Sequence, residues 1–221
     1  MNDLTKYNAH TPTWCPGCGD WGINVAIKSA LNSLNIGPSQ FAAVFGIGCS
    51  GNMNDFLNAY AMHSLHGRAV PNAIGIKLAY HTLPVLAIVG DGDCYGEGGN
   101  HLIHAARGNH DITVIVHDNG VYGLTTGQVA PTADKGFKSK STPDGIIETP
   151  INPLSLVLTQ GASFVAQAFA GDILHATEII KQAIVHKGFS VVNVLQPCVT
   201  FNKLNTYQYY LKRVYKLQEN H

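Results

Sequence analysis

The chain has 221 residues, enough for one large domain with a substantial buried core. Its 14 Lys+Arg balance its 14 Asp+Glu, and charged residues are only 13% of the total, against about 25% in an ordinary soluble protein. That balance lacks the basic footprint of a nucleic-acid binder, and no apolar run approaches the ~18–20 residues of a membrane span.

Residues 1–10 are polar and hold no apolar signal core, so a cytoplasmic chain is expected. A loop carrying Cys15-Pro16-Gly17-Cys18-Gly19 leads into a helical pattern over 21–34, with Ile23, Ala26, Ile27, Ala30, Leu31 and Leu34 on one face. Asn35-Ile36-Gly37-Pro38 stops it. Residues 41–45 read as a short buried strand running into glycines. Residues 54–65 have helical spacing, and a further helix covers 69–81 with Pro71 near its first turn.

The clearest unit follows. A strand over 83–89, the turn Gly90-Asp91-Gly92-Asp93, a helix over 97–107 and a strand over 112–116 form a βαβ unit. Such units build parallel sheets with sites at the carboxyl ends of strands. Residues 120–150 are rich in Gly, Thr, Pro, Lys and Ser, and structureless stretches of that length are usually functional or disordered. A helix over 153–160, a strand over 163–169, a helix capped by Asp172 to about 186 and a strand over 190–195 complete the pattern. Residues 206–217, with four tyrosines, suit an amphipathic tail helix. The whole predicts one doubly wound α/β domain with a parallel sheet over 1–221.

Gly46-Ile47-Gly48-Cys49-Ser50-Gly51 fits the G-x-G-x-x-G string of dinucleotide sites. Such a site also wants a carboxylate about 20 residues on, where this chain has Leu65-His66-Gly67-Arg68-Ala69, so the nicotinamide reading is weak. Asp91 and Asn119 end two strands of one βαβ unit, 28 residues apart. As hard oxygen donors they suit Mg²⁺, which uses few protein groups plus substrate phosphates, and the amides of the glycine turn could hold a diphosphate. Spacing alone serves equally a helix cap at Asp91 and a turn at Asn119. Five cysteines without a signal peptide point away from a disulfide framework. Cys15 and Cys18 form C-x-x-C, while Cys49 and Cys198 each follow a strand, so all four can meet at one sheet edge. Zinc or an iron–sulfur cluster would serve them; one short pair plus two distant single cysteines leans toward the cluster. Cys94 reads as a buried small residue.

Ordered motifs from residue 12 to about 204 resemble the β subunit of 2-oxoacid:ferredoxin oxidoreductases. They are Thr13-Trp14-Cys15-Pro16-Gly17-Cys18-Gly19, Gly46-Ile47-Gly48-Cys49-Ser50, Leu65-His66-Gly67-Arg68-Ala69, Gly90-Asp91-Gly92-Asp93, the 98–107 stretch, Asp118-Asn119-Gly120-Val121-Tyr122-Gly123-Leu124-Thr125 and Gln196-Pro197-Cys198. The Trp-Cys-Pro-Gly-Cys-Gly form looks closer to the 2-oxoglutarate or broad 2-oxoacid branch than to dedicated pyruvate enzymes.

The resemblance implies a thiamine diphosphate enzyme with a 4Fe–4S cluster in this subunit. Carried over by motif, Cys15, Cys18, Cys49 and Cys198 ligate the cluster, and Asp91, Asn119 and the Val121 carbonyl hold Mg²⁺. Gly92, Asp93, Gly123 and Leu124 lie on the diphosphate side, and Ile47, Gly48, Cys49, Ser50 and His66 contact the cofactor. His66 is the catalytic candidate, and Arg68 is an anchor for the substrate carboxylate. Bland alternatives are a hydrogen-bonded loop histidine and an ion-paired arginine. The implied reaction is oxidative decarboxylation of a 2-oxoacid, 2-oxoglutarate or pyruvate, to acyl-coenzyme A and CO₂, with electrons passed to ferredoxin. It requires an α (or fused γα) partner that supplies the glutamate activating the thiamine, so the chain alone is expected to be inactive. The rivals are a non-redox thiamine diphosphate decarboxylase subunit, with no need of four cysteines, and a zinc-stabilised α/β interaction module.

Overall fold

The computed structural model describes residues 3–217. A first helix, α1 (Gly19–Ser33), is followed by strand β1 (Ala42–Phe45), strand β2 (Tyr60–His63), helix α2 (Ala69–Ala79) and strand β3 (Val85–Gly90). Helix α3 (Gly99–Gly108), strand β4 (Thr113–Asp118) and a two-stranded hairpin, β5 (Val121–Tyr122) with β6 (Gln128–Val129), come next. Helix α4 (Pro153–Thr159), strand β7 (Phe164–Phe169), helix α5 (Ile173–Val185), strand β8 (Ser190–Leu195) and the short helix α6 (Tyr207–Leu211) complete the described chain.

The main sheet runs β2-β1-β3-β4-β8-β7, and every pairing in it is parallel. Its central strands read as continuous apolar runs because both faces are covered. Phe45, Leu86, Ile88, Ile115 and Val192 face the layer made by α1 and α5. Val44, Val85, Ala87, Val114 and Val191 alternate to the opposite face, where α2, α3 and α4 lie. The doubly wound α/β class expected from the βαβ pattern is what forms. The chain leaves β1 for β2 on one side and comes back to β3 on the other. A crevice therefore opens beyond the carboxyl ends of β1 and β3, the general ligand position of such sheets.

Two segments depart from the sequence pattern. The helix expected over 54–65 is replaced by a 3₁₀ turn, Gly51–Asp55, and by β2. Phe56 and Leu57 are buried, but other segments claim this backbone: Ala9 N donates to Phe56 O, Asn58 N to Tyr7 O, and Tyr60–His63 pair with β1. The tail helix expected over 206–217 is limited to one turn, capped by Thr206 Oγ1 and anchored by Tyr210 against Phe169 at 5.4 Å. The 120–150 segment has little regular structure, but it is folded back on itself. Phe137 is buried with Val121, Ala133 and Cys198 in a small separate core, and Gly136 N and Ile146 N close reciprocal backbone bonds with the Ile146 and Phe137 carbonyls.

Gly51 shows how tightly the turn after β1 is drawn. A Cβ there would sit 1.9 Å from the Gly46 carbonyl oxygen, a backbone atom that cannot step aside. Gly51→Ala is expected to destabilise the fold by about 3 kcal/mol, the upper range for forced overpacking, read from the denaturant midpoint at unchanged slope.

Candidate active site

The crevice holds a cavity of about 80 Å³ lined by the 47–50 turn, His66, the 90–93 turn, Asn119 and the 121–125 stretch. A larger open hollow of about 390 Å³ lies at the opposite sheet edge, between Gln40, Tyr60, Tyr80 and Pro84, and contains none of the chemistry-bearing residues.

Asp91 ends β3 and is 1% exposed. One of its oxygens accepts from Gly120 N at 2.8 Å and from the Thr132 hydroxyl. Burial, and then the neighbouring Asp118 carboxylate, push Asp91 up to about 8. Two adjacent buried carboxylates concentrate negative charge that a divalent ion would offset. Asn119 and Val121 line the same cavity; an amide oxygen and a main-chain carbonyl are further hard oxygen donors, so the residue set fits Mg²⁺.

The raised Asp91 has a measurable consequence. The native state keeps a proton that the unfolded chain releases near pH 4, so native stability of the metal-free protein falls as pH rises from about 4 to about 8. Asp91→Asn is expected to flatten that slope, measured as the pH dependence of the thermal midpoint in chelator.

Asp93 lines the cavity and also organises it. Its Oδ1 accepts from Ile47 N at 3.1 Å and Gly67 N at 2.9 Å and pairs with His66 Nδ1 at 2.7 Å. One carboxylate thus pins the 47–50 turn, the 66–68 loop and the imidazole together. A Cβ on Gly46 would fall 2.1 Å from Asp93 Oδ2, so only glycine admits it. Between β3 and α3, Gly92–Glu97 forms a wide π-turn, a geometry frequent at functional sites. A Cβ on Gly92 would strike the Tyr122 ring at 2.4 Å, and Tyr122 OH donates to Gly92 O.

Four of the five cysteines converge beside this cavity. The Cys15–Cys18 loop is held by Trp21 Nε1 donating to Cys15 O at 3.2 Å and Trp14 Nε1 donating to Cys49 O at 2.7 Å. Gly19 N donates to Pro197 O, which ties the amino-terminal loop to the segment after β8. Gly123 packs against two of the sulfurs: a Cβ on it would lie 3.4 Å from Cys49 Sγ and 3.9 Å from Cys198 Sγ. Burial first, and nearby acids including Asp20 and the Cys198 thiol, push Cys18 far up and Cys49 up to about 12. Crowded, desolvated thiols of this kind need a cationic centre before they can ionise. Among the described residues, no three His, Cys, Asp or Glu side chains close on a point that would hold a single metal ion. Cys94 is buried within the π-turn, away from the other sulfurs.

The cavity lining gathers the candidates of the 47–50 turn, His66, Asp91, Gly92, Asp93, Asn119, Val121, Gly123 and Leu124; Cys15, Cys18 and Cys198 lie outside that lining, and Arg68 is exposed outside it and makes one long contact to Gly67 O. His66 and Leu124 line its open side. Sequence reasoning gave no role to Thr132, Tyr122 or Gln196, which bond to Asp91, Gly92 and Cys18 across 41, 30 and 178 residues. A hydroxyl, an aromatic ring or an amide carries no signal of such contacts. The buried Asp20–His117 pair, at 2.6 Å behind Cys18, was equally invisible.

The family described as thiamine pyrophosphate enzyme, C-terminal TPP binding domain, matches residues 35–194. The family of the C-terminal part of the pyruvate ferredoxin oxidoreductase beta chain matches residues 198–221. The β subunit of a 2-oxoacid:ferredoxin oxidoreductase from Saccharolobus solfataricus is 51% identical over 209 residues, covering 94% of this chain and 68% of that protein. The 2-oxoglutarate oxidoreductase subunit KorB of Mycobacterium tuberculosis is 43% identical over 189 residues, 86% of this chain and 51% of that one. The chain thus spans between half and about two thirds of the length of these curated relatives. A solved structure of 2-oxoglutarate:ferredoxin oxidoreductase from Magnetococcus marinus, with 2-oxoglutarate, coenzyme A and succinyl-CoA bound, matches at a TM-score of 0.96 and 44% identity, over 99% of this chain and 75% of that one. Sequence identity of this size along nearly the whole chain reaches beyond a shared fold. This chain belongs to the β-subunit family of the 2-oxoacid:ferredoxin oxidoreductases and carries a thiamine-diphosphate-binding domain.

Proposed function

We propose that this chain, with an α or fused γα partner, oxidatively decarboxylates a 2-oxoacid, 2-oxoglutarate or pyruvate, to acyl-coenzyme A and CO₂, passing electrons through a 4Fe–4S cluster to ferredoxin. Residues 1–221 act as one thiamine diphosphate- and Mg²⁺-binding domain with the Cys15–Cys18 loop as its amino-terminal cover. The observation carrying the reading is the position of Gly123: it lines the Asp91 cavity, and it packs against both the Cys49 and the Cys198 sulfurs. The two proposed sites would thus adjoin, which a non-redox decarboxylase or an interaction module would not require.

Cys15, Cys18, Cys49 and Cys198 would hold the cluster, and Asp91, Asn119 and the Val121 carbonyl would hold Mg²⁺. Gly92, Asp93, Gly123 and Leu124 would border the diphosphate. When bound, thiamine diphosphate supplies a carbon nucleophile and electron sink, and the cluster a one-electron outlet. The protein's part is to position and exclude. Asp93 fixes the 47–50 turn and orients His66 through Nδ1, leaving Nε2 for the open side. Arg68, two residues on and exposed, would meet a substrate carboxylate there. A cavity of about 80 Å³ is well below the ~300 Å³ of an ordinary small-molecule site, so a partner subunit must complete it.

The test is anaerobic purification of the chain with its native partner, followed by a 2-oxoacid panel with coenzyme A and ferredoxin. Brown protein and substrate-dependent ferredoxin reduction are expected. Colourless protein with stoichiometric zinc and no 2-oxoacid turnover would replace this reading with the interaction module.

A further inference from the structure

Gln196 lies between the two proposed centres and is 1% exposed. Its Oε1 accepts from Asn119 Nδ2 at 2.6 Å, and its Nε2 donates to Cys18 Sγ and to Pro197 O, both at 3.2 Å. The orientation of both amides is dictated from the ends of this chain of contacts. Val121 N can only donate, so the Asn119 atom facing it at 2.9 Å is Oδ1 and Nδ2 must point at Gln196. Pro197 O can only accept, so the Gln196 atom facing it is Nε2. An N–H is therefore aimed at the Cys18 sulfur.

We propose that Gln196 is a positioning residue joining the two centres: it donates a hydrogen bond to the cluster through Cys18, and it holds Asn119 with its amide oxygen fixed at the metal side. The inference rests on the function proposed above and adds to it a residue that makes the electron acceptor easier to reduce. Hydrogen bonds to ligand sulfurs are among the levers that set cluster potentials, because they stabilise the extra negative charge of the reduced form. The need is local. Asp20 Oδ2 sits 3.2 Å from the same sulfur; it accepts from a thiol but opposes a thiolate, and the Gln196 N–H offsets it. At the other end, loss of the Oε1 acceptor strands the buried Asn119 Nδ2 and leaves its amide held by the Val121 N–H alone, and partners that orient a ligand in this way are worth roughly 10–100-fold in metal affinity.

The experiment uses the assembled holoenzyme. With glutamine side-chain ¹⁵N labelling, pulsed EPR of the dithionite-reduced wild type is expected to show a ¹⁵N coupling at the cluster, absent in Gln196→Leu and Gln196→Met. In a dye-mediated EPR titration, the reduced-to-oxidised ratio of either variant at the wild-type midpoint is expected to fall about tenfold, equal to ~59 mV for one electron. Mg²⁺-dependent thiamine diphosphate affinity is expected to weaken about tenfold in the same variants. A wild-type cluster without the ¹⁵N coupling, or variants with intact iron and an unchanged potential, overturns the role of Gln196 and leaves the proposed function standing. A wild type without an iron–sulfur EPR signal overturns both. The coupling measurement needs no variant to fold.

Discussion

Cys49→Ala is expected to leave the assembled enzyme pale, with its absorbance at about 400 nm lost and substrate-driven ferredoxin reduction abolished. Cys49 is the ligand candidate shared between the two centres: it lies in the turn after β1, lines the cavity, and shares its contact with Gly123 with Cys198. Removing its sulfur leaves three thiols. Cys18 is driven far from ionisation by burial and by Asp20, which a partial cluster would not offset. The fold should survive, because Cys49 is half-buried at the core edge and the backbone contact from Trp14 goes to its carbonyl oxygen, not to its side chain. Iron content, visible absorbance and the thermal midpoint, measured together on anaerobic protein, separate these effects. A variant that keeps iron and colour at the wild-type level removes Cys49 from the cluster.

Asp91→Ala is expected to weaken Mg²⁺-dependent thiamine diphosphate binding in the complex by at least about 100-fold, since it deletes a ligand and not merely a supporting partner. Asp91 is the charged member of a donor set otherwise made of an amide and a carbonyl. Its loss also strands Gly120 N and the Thr132 hydroxyl, both of which donate to it. The metal-free variant should nonetheless be no less stable than wild type at alkaline pH, because a carboxylate pushed up to about 8 is itself a burden on the fold there. Calorimetric titration of thiamine diphosphate with and without Mg²⁺ reads the first effect, and the alkaline thermal midpoint reads the second. Unchanged affinity would remove Asp91 from the metal site.

The motifs that sequence reading found are those whose chemistry is written in short windows. Asp91 and Asn119 stand at strand ends of one contiguous βαβ unit, and the apolar runs 83–89 and 112–116 mark β3 and β4 within a residue or two. The C-x-x-C loop, Cys49 and Cys198 were recognisable as ligand candidates by type and by position after strands. Residues 54–65 misled because their apolar pattern also suits a turn that buries Phe56 and Leu57 and then leaves along the sheet edge. Only contacts with residues 7–10 and with β1 decide between the two. Helix α3 starts late for a similar reason: Gly92, Gly96 and Gly98 let the backbone press against Tyr122, Pro131 and Gly67, and the turn widens to a π geometry.

The order of residue types along the chain was sufficient to specify a doubly wound α/β sheet, its carboxyl edge as the working edge, and the identity of the candidate sulfur and oxygen donors, because apolar period, glycine turns and ligand type are local properties. Tertiary structure alone decided that Arg68 stands outside the cavity, that Asp93 ties three loops together, and that Gln196 bridges Asn119 to Cys18. Those outcomes depend on side chains up to 178 residues apart meeting within hydrogen-bond distance, and a hydrogen bond needs only a donor and an acceptor at the right separation, which no local pattern records.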